Sequence, residues 1–297
     1  MEIVNFGSMN LDYVYTVPDF VQPGETLAAD SRAIYCGGKG LNQSVAAARA
    51  GAVVRHAGML GQGGEPLRAV LERTGVDTGL LADCPLSQGH TVIQVSRTGE
   101  NCILLYRGSN GAVTADYIRQ ALARLSAPAY ILTQNETAGL SDLLTLAAER
   151  GHRVCLNASP VDQALLDTDL SGLSWLLINR LEGNQLTGQE EPQAILDTLE
   201  TRYPAMGVVL TLGKKGALCR SGGHQLFQPS FPAKAVDTTG AGDTFTGYFL
   251  AMLARERSLE EALSMAAMAA AIAVTRPGAE PSIPQEAEVQ ARLAEIR

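Results

Sequence analysis

Lysine is nearly absent from this chain: Lys39, Lys214, Lys215 and Lys234 are the only four in 297 residues. Basic side chains number 23 against 31 acidic ones, for a formal net charge of −8. That balance disfavours general nucleic-acid binding and leaves no basic face for a membrane surface. No apolar run approaches the ~20 residues of a spanning helix. The first residues, Met1 to Phe6, carry neither a basic region nor a cleavage site. No export signal is visible there, and the expected location is the cytoplasm. The five cysteines (Cys36, Cys84, Cys102, Cys155, Cys219) are odd in number and contain no CxxC pair. They read as reduced thiols packed as small core residues, not as a disulfide framework. The four histidines, His56, His90, His152 and His224, lack metal-ligand spacing and read as surface or loop residues. No GxGxxG follows the first strand, which argues against a dinucleotide-binding oxidoreductase.

What is present is a globular pattern, 46% hydrophobic, long enough for two average domains or one large α/β domain. A strand is predicted at Ile3–Met9. Strand-like segments follow at Tyr13–Val17 and Thr26–Tyr35, then a helix at Leu41–Ala50, a strand at Val53–Leu60 and a helix at Pro66–Thr74. Thr91–Ser96 and Asn101–Tyr106 flank a turn and read as a hairpin. From residue 114 strands and helices alternate regularly, and three helices close the chain at 241–255, 259–275 and 285–295. Such alternation implies a parallel sheet covered on both faces. The early strand pairs have no helices to cover them. They read as a small separate sheet that covers a ligand, another subunit, or both.

Within that frame, Asp237-Thr-Thr-Gly-Ala-Gly-Asp-Thr-Phe245 carries the most information. It is a glycine-rich turn entering an apolar helix. The N–H groups of Gly240, Ala241 and Gly242 fall at the helix N-terminus, where free amides and the positive dipole end suit an anion. Asp243 cannot be a phosphate ligand there, but it can be a base beside one. Gly37-Gly38-Lys39-Gly40-Leu41-Asn42-Gln43 lies between a strand and a helix, and its glycines let backbone approach a ligand. It is no Walker A loop, since Gly40 follows the lysine in place of Ser or Thr. Asn10 and Asp12 are placed at the end of the first strand on one face, an amide and a carboxylate suited to a polyol. Glu136, Asn179 with Glu182, and the Thr211–Gly216 turn also follow strands. An Asx-turn, a solvated first-turn glutamate and a plain hairpin turn are the structural alternatives for three of these. Ligands in α/β sheets bind at the carboxyl ends of strands, and these signals share that edge.

On the 37–43 and 237–245 motifs, the sequence resembles the ribokinase (PfkB) family of carbohydrate kinases over essentially its whole length. The resemblance implies a doubly wound α/β fold, residues 1–297 in one domain, with a small β-sheet lid from about 12–36 and 89–107. It implies Asp243 as catalytic base, with Gly240, Ala241 and Gly242 as the anion hole. Asn10, Asp12, Gly38, Lys39, Asn42 and Glu136 are implied as sugar-binding. Asn179, Thr211, Gly213, Lys214 and Gly216 are implied for ATP. Glu182 is implied to act on Mg²⁺ through water. Asp237, Thr239, Ala273, Arg276, Gly278 and Ser282 are implied around K⁺. A homodimer through the lid is implied as well. The corresponding reaction is transfer of the ATP γ-phosphoryl group to a primary hydroxyl of a small sugar, D-ribose first. Deoxyribose, a nucleoside or a hexose stand as other acceptors, and a non-catalytic sugar- or nucleotide-binding protein stands as the alternative outside enzymes.

Overall fold

The structure, a computed structural model, describes residues 1–296; the final residue of the predicted domain, 297, lies outside them. The chain runs β1 (Ile3–Phe6), β2 (Asn10–Val17), β3 (Ser31–Gly37), α1 (Lys39–Arg49), β4 (Val54–Gln62), α2 (Glu65–Arg73), β5 (Asp77–Ser87), β6 (His90–Ser96) and β7 (Asn101–Tyr106). It continues with α3 (Ala115–Ala123), β8 (Tyr130–Gln134), α4 (Leu140–Glu149), β9 (Arg153–Asn157), α5 (Gln163–Leu166), β10 (Leu173–Asn179), α6 (Arg180–Thr187) and α7 (Pro192–Arg202). It ends with β11 (Gly207–Thr211), β12 (Ala217–Ser221), β13 (His224–Gln228), α8 (Ala241–Ala254), α9 (Leu259–Ala273) and α10 (Glu286–Ala294).

Nine strands form one sheet in the order β13-β12-β11-β10-β9-β8-β1-β4-β5, parallel except for the β11-β12-β13 meander. Its central strands are apolar on both faces, and alternate residues feed two cores. Ile3, Leu132, Cys155, Leu177 and Val209 pack with helices α1, α8 and α9. Val4, Ile131, Val154, Leu176, Ile178 and Val208 pack with α3, α4 and α7. This is the doubly wound arrangement expected, and period-two alternation under two helix layers explains the near-continuous apolar strands. From β1 the chain moves to β4 on one side and later to β8 on the other. The carboxyl ends of β1 and β8 therefore flank a topological switch point.

The second sheet has four strands in the order β3-β2-β6-β7. It uses the predicted segments with shifted ends. Strand β3 begins at Ser31, not Thr26, because its partner β2 ends at Val17 and leaves nothing earlier to pair with. The first strand stops at Phe6, so Asn10 and Asp12 do not end a main-sheet strand. They open β2 of the small sheet, paired with Gly37 and Tyr35. Strand β5 escaped sequence reading: it is an edge strand, largely exposed, interrupted by Gly79 and Pro85, and so lacks a clean period. Helix α6 was also missed; its apolar stripe is short, and an Asn179–Glu182 capping box nucleates it.

Two compositional readings are corrected. His56 is no surface residue but is fully buried, 0% exposed. Its ring meets Ser44 Oγ at 2.8 Å and the Gly7 carbonyl at 3.2 Å, and burial lowers its pKa to about 4, so it is neutral. Of the cysteines only Cys155 and Cys219 are core residues; Cys102, on the edge strand β7, is exposed.

Helix α8 is buried on nearly every side, and it crosses α1 at very short range. A Cβ on Gly247 would lie 2.5 Å from Ala46 Cβ and 2.7 Å from the Gln43 carbonyl oxygen. Backbone at that distance cannot give way cheaply. Gly247→Ala should therefore lower unfolding free energy by about 1–3 kcal/mol, the range for overpacking. Urea denaturation checks this, and an unchanged midpoint would show that the helices can separate freely.

Candidate active site

Gly247 lets α8 approach α1, and one turn earlier on α8 stands Asp243. Its carboxylate accepts Asn42 Nδ2 at 3.0 Å on Oδ2 and Gln43 Nε2 at 2.9 Å on Oδ1. The group keeps a window to solvent but is otherwise enclosed by protein. Desolvation pushes its pKa up to about 6, against the opposing pull of Lys39 and the two amide donors; Glu136 adds to the rise. A carboxyl poised there is ionised at neutral pH yet more basic than a free aspartate.

The α8 N-terminus begins at Gly240, whose φ of 73° is left-handed, and no side chain caps it. Ala241 N–H bonds the Thr238 carbonyl at 3.3 Å, so it is partly spent within the turn. Among the described residues nothing accepts the N–H groups of Gly240, Gly242 or Asp243. A Cβ on Gly242 would meet nothing within 4 Å, so there is room beside the turn at that residue. Free amides, a dipole end and room form an anion cradle.

The predicted sugar residues converge on the switch point. Lys39 Nζ pairs with Glu136 Oε1 at 3.1 Å. Glu136 Oε2 also accepts Ser8 Oγ at 2.5 Å and Lys39 N–H at 3.3 Å. Burial works against the Lys39 ammonium, but Glu136 and Asp243 together hold its pKa above the usual value. Asp12 accepts Thr91 Oγ1 at 2.6 Å, and burial raises its pKa. Asn10 Oδ1 accepts Asn110 Nδ2 at 2.8 Å. Gly38, at a φ of 94°, is the α1 N-cap, and a Cβ there would press on the backbone of residues 8 to 10. Asn42 is buried, and its Oδ1 has no partner. A buried acceptor beside donors and carboxylates is complementary to a hydroxylated ligand.

Asn179 and Thr211 are register partners on adjacent strands β10 and β11. The Asn179 side chain accepts Glu182 N–H at 2.9 Å, and Glu182 Oε2 accepts Asn179 N–H at 2.8 Å. Glu182 is thus no solvated glutamate: it is 7% exposed, and desolvation raises its pKa. One of its oxygens is committed to the cap and the other is free of it. Gly213, Lys214 and Lys215 form an exposed single-turn helix, and Gly216 precedes β12.

The candidate cation segments also meet. Asp237 Oδ1 accepts Thr239 N–H at 2.9 Å and Oδ2 accepts Gly278 N–H at 2.8 Å. Burial opposes its ionised form, but these N–H groups and the Thr239 hydroxyl hold its pKa below the usual value. A Cβ on Gly240 would lie 3.0 Å from Ala279 Cα, so the cradle turn rests on the 278–279 loop. The Arg276 side chain is turned to Glu288, and the Ala273 carbonyl already accepts Arg276 N–H at 3.1 Å. Ser282 Oγ bonds the Ala279 carbonyl at 2.8 Å. Carboxylate, hydroxyl and carbonyl oxygens are the donor set of a hard cation.

Sequence reading assigns no role to Ser8, Thr91, Asn110 or Gln43, which bond candidate residues, or to Gln134, which bonds Gln43 and Asn5. Gln43 sits inside the glycine motif, so its place was signalled. The others are ordinary polar residues whose neighbours lie far off in sequence.

A doubly wound sheet with an anion cradle, a half-buried aspartate and a polar switch point suits a phosphotransferase acting on a hydroxylated small molecule. A family profile described as pfkB family carbohydrate kinase matches residues 1–286, and the chain belongs to that family. A ribokinase from Haemophilus influenzae is 36% identical over 95% of both chains. A deoxyribokinase from Salmonella typhi is 31% identical over 96% of both. Among solved structures, a ribokinase from Thermotoga maritima superposes with a TM-score of 0.87 at 31% identity, covering 99% of each chain. Ribokinase from Arabidopsis thaliana, complexed with ribose and ATP, superposes with a TM-score of 0.84 at 27% identity, covering 98% of each.

The pH sign follows from Asp243. With Asp243 as the expected proton acceptor, only its carboxylate form would serve, so kcat/KM should fall as pH drops through about 6 and be level above it. A pH profile of kinase activity checks this, and a flat profile down to pH 5 would contradict the environment described.

Proposed function

We propose that the chain transfers the γ-phosphoryl group of ATP to a primary hydroxyl of D-ribose, giving ribose 5-phosphate. The observation that carries this is Asp243, a largely enclosed carboxylate at the uncapped N-terminus of α8. Similarity to ribokinases supports ribose, and the deoxyribokinase relative keeps deoxyribose as the second reading.

Lys39, Asn42, Asp12, Asn10, Gly38 and Glu136 bind and orient the sugar. Glu136 and Lys39 satisfy each other without sugar, so binding exchanges part of that pair for hydroxyl contacts. Asp243 accepts the proton of the attacking hydroxyl; in a loose transition state it can move late. The α8 amides hold the charge of the transferring group. Asn179 and Thr211 through Gly216 form the nucleotide side.

The cluster sets one ammonium, Lys39, against four carboxyls, Asp12, Glu136, Glu182 and Asp243. A polyphosphate there needs cationic help. Glu182 fits Mg²⁺, which takes few protein carboxylates and keeps several waters. The Asp237, Thr239, Ala273, Arg276, Gly278 and Ser282 segments fit K⁺, several of them through backbone carbonyls. Bound there, these ions would neutralise phosphate charge and firm the cradle loop.

The chain functions as one unit in the cytoplasm, with the small sheet as its lid. That sheet exposes Ile34 and Tyr35 on β3 and Ile103, Leu104, Leu105 and Tyr106 on β7. Adjacent apolar residues on its two edge strands suit a homodimer interface.

Asp243→Asn should cut kcat by at least ~10², the low end for acid–base catalysis; near-normal turnover would sink the role. ADP release measured across pentoses, deoxyribose, hexoses and nucleosides should be strongest with ribose and rise with K⁺. Strongest turnover on deoxyribose would establish the second reading. Leu104→Lys should shift a dimer to monomer in analytical ultracentrifugation, and an unchanged mass would move the interface elsewhere.

A further inference from the structure

A chain of buried amides runs away from Asp243 into the protein. Gln43 Oε1 accepts Gln134 Nε2 at 2.7 Å. Gln134 Nε2 also donates to Asn5 Oδ1 at 3.1 Å. Asn5 Nδ2 donates to the Gly40 carbonyl at 2.8 Å and to Ser44 Oγ at 2.9 Å. Ser44 in turn meets His56 Nδ1, whose other nitrogen faces the Gly7 carbonyl. Asn5, Gln43, Ser44 and His56 are 0% exposed and Gln134 is 1% exposed.

The direction of every donor in this chain is fixed from both ends. At the deep end the acceptors are backbone carbonyls, which cannot donate. The Gly40 carbonyl requires Asn5 to present Nδ2 to it, which turns Oδ1 toward Gln134. Gln134 must then present its amino group, and Gln43 must present its oxygen to Gln134. That leaves Gln43 Nε2 facing Asp243. At the near end an ionised Asp243 is acceptor-only and requires the same arrangement. The Gly7 carbonyl likewise makes His56 Nε2 the donor and Nδ1 the acceptor from Ser44. One buried atom bears the cost: Gln134 Oε1 has no partner.

Asn42, the other donor to Asp243, is not held in this way. Its Oδ1 is unpartnered, so nothing but Asp243 fixes its amide. A ligand hydroxyl can engage Asn42, whereas Gln43 stays committed whether or not the site is filled.

We propose that Gln43 is a positioning residue for phosphoryl transfer, holding the Asp243 carboxylate through an N–H whose direction is locked by the Gln134–Asn5 chain. The inference rests on the reading of Asp243 as proton acceptor. It predicts a constant donor that favours the ionised carboxylate. The charged groups facing Asp243 are Lys39 on α1 and Glu136 after β8; Gln43 acts beside them.

The test is the pH profile of kcat/KM with a kcat and KM split for wild type, Gln43→Met, Gln43→Glu, Gln134→Met and Asp243→Asn. Gln43→Met should move the acid limb up by about one pH unit, as for loss of one hydrogen bond to a charged group. Its kcat should fall more than its sugar KM rises, because Asn42, not Gln43, presents a free atom to the site. Gln43→Glu keeps the shape and should move the limb further. Gln134→Met frees the Gln43 oxygen and should move it in the same direction by less. An acid limb that stays in place in Gln43→Glu or Gln43→Met, with only stability or kcat lowered, overturns the proposal as a packing effect. Normal turnover in Asp243→Asn removes the base reading and the proposal with it. An inactive Asp243→Asn beside an unmoved limb removes the proposal alone.

Discussion

Helix α8 lies against helix α1 with almost no side chain between them, and the site depends on that contact. Gly247 makes it possible, because any Cβ there would strike the α1 backbone. A second near-contact sets the other end of α1. A Cβ on Gly40 would lie 2.4 Å from Gly7 backbone atoms, so α1 starts hard against the end of β1. Between these two points α1 has no freedom to slide. Asn42 and Gln43, within a turn of Gly40, are thereby aimed at the first turn of α8. The position of the Asp243 carboxylate is thus set by close packing of backbone and only then refined by hydrogen bonds.

The same rigidity explains how so much negative charge can be gathered at one place. Asp12, Glu136, Glu182 and Asp243 would repel one another if they could move apart. Each is instead anchored to a neutral or cationic donor: Thr91, Ser8 with Lys39, Asn179, and the α1 amides. Desolvation raises the pKa of Asp12, Glu182 and Asp243, and the donors limit the rise. A site built this way is strained electrostatically when empty. Carboxyls gathered in this way favour cations and hydroxyl donors as neighbours.

Much of this was legible in the residue order, for definite reasons. The motifs 37–43 and 237–245 are read because glycine marks backbone that must turn or approach closely. The doubly wound sheet is read because strands buried on both faces are apolar throughout. Strand β5 was not, because an edge strand with one half-solvated face carries no strong period. Asn10 and Asp12 are legible as site residues but not as members of the small sheet, since a strand that stops and restarts after three residues looks continuous. The chain behind Asp243 was invisible: Gln43 bonds residues 91 and 200 positions away. Such partners are joined only by the tertiary fold, and nothing local in a glutamine or asparagine announces them.

The small sheet is mostly antiparallel, but its central pair, β2 and β6, is parallel. Thr91 and Asp12, bonded across that pair, are 79 residues apart. The segment between them includes α1, β4, α2 and β5, which belong to the large sheet and its cover. A parallel pair cannot close by a hairpin, so this pairing must be bridged by that long intervening segment. The central pairing of the small sheet is therefore a non-local contact, of the kind that costs the most loop entropy to make. The register that sets Asp12 beside Thr91 is thus held by the body of the protein and not by a local turn.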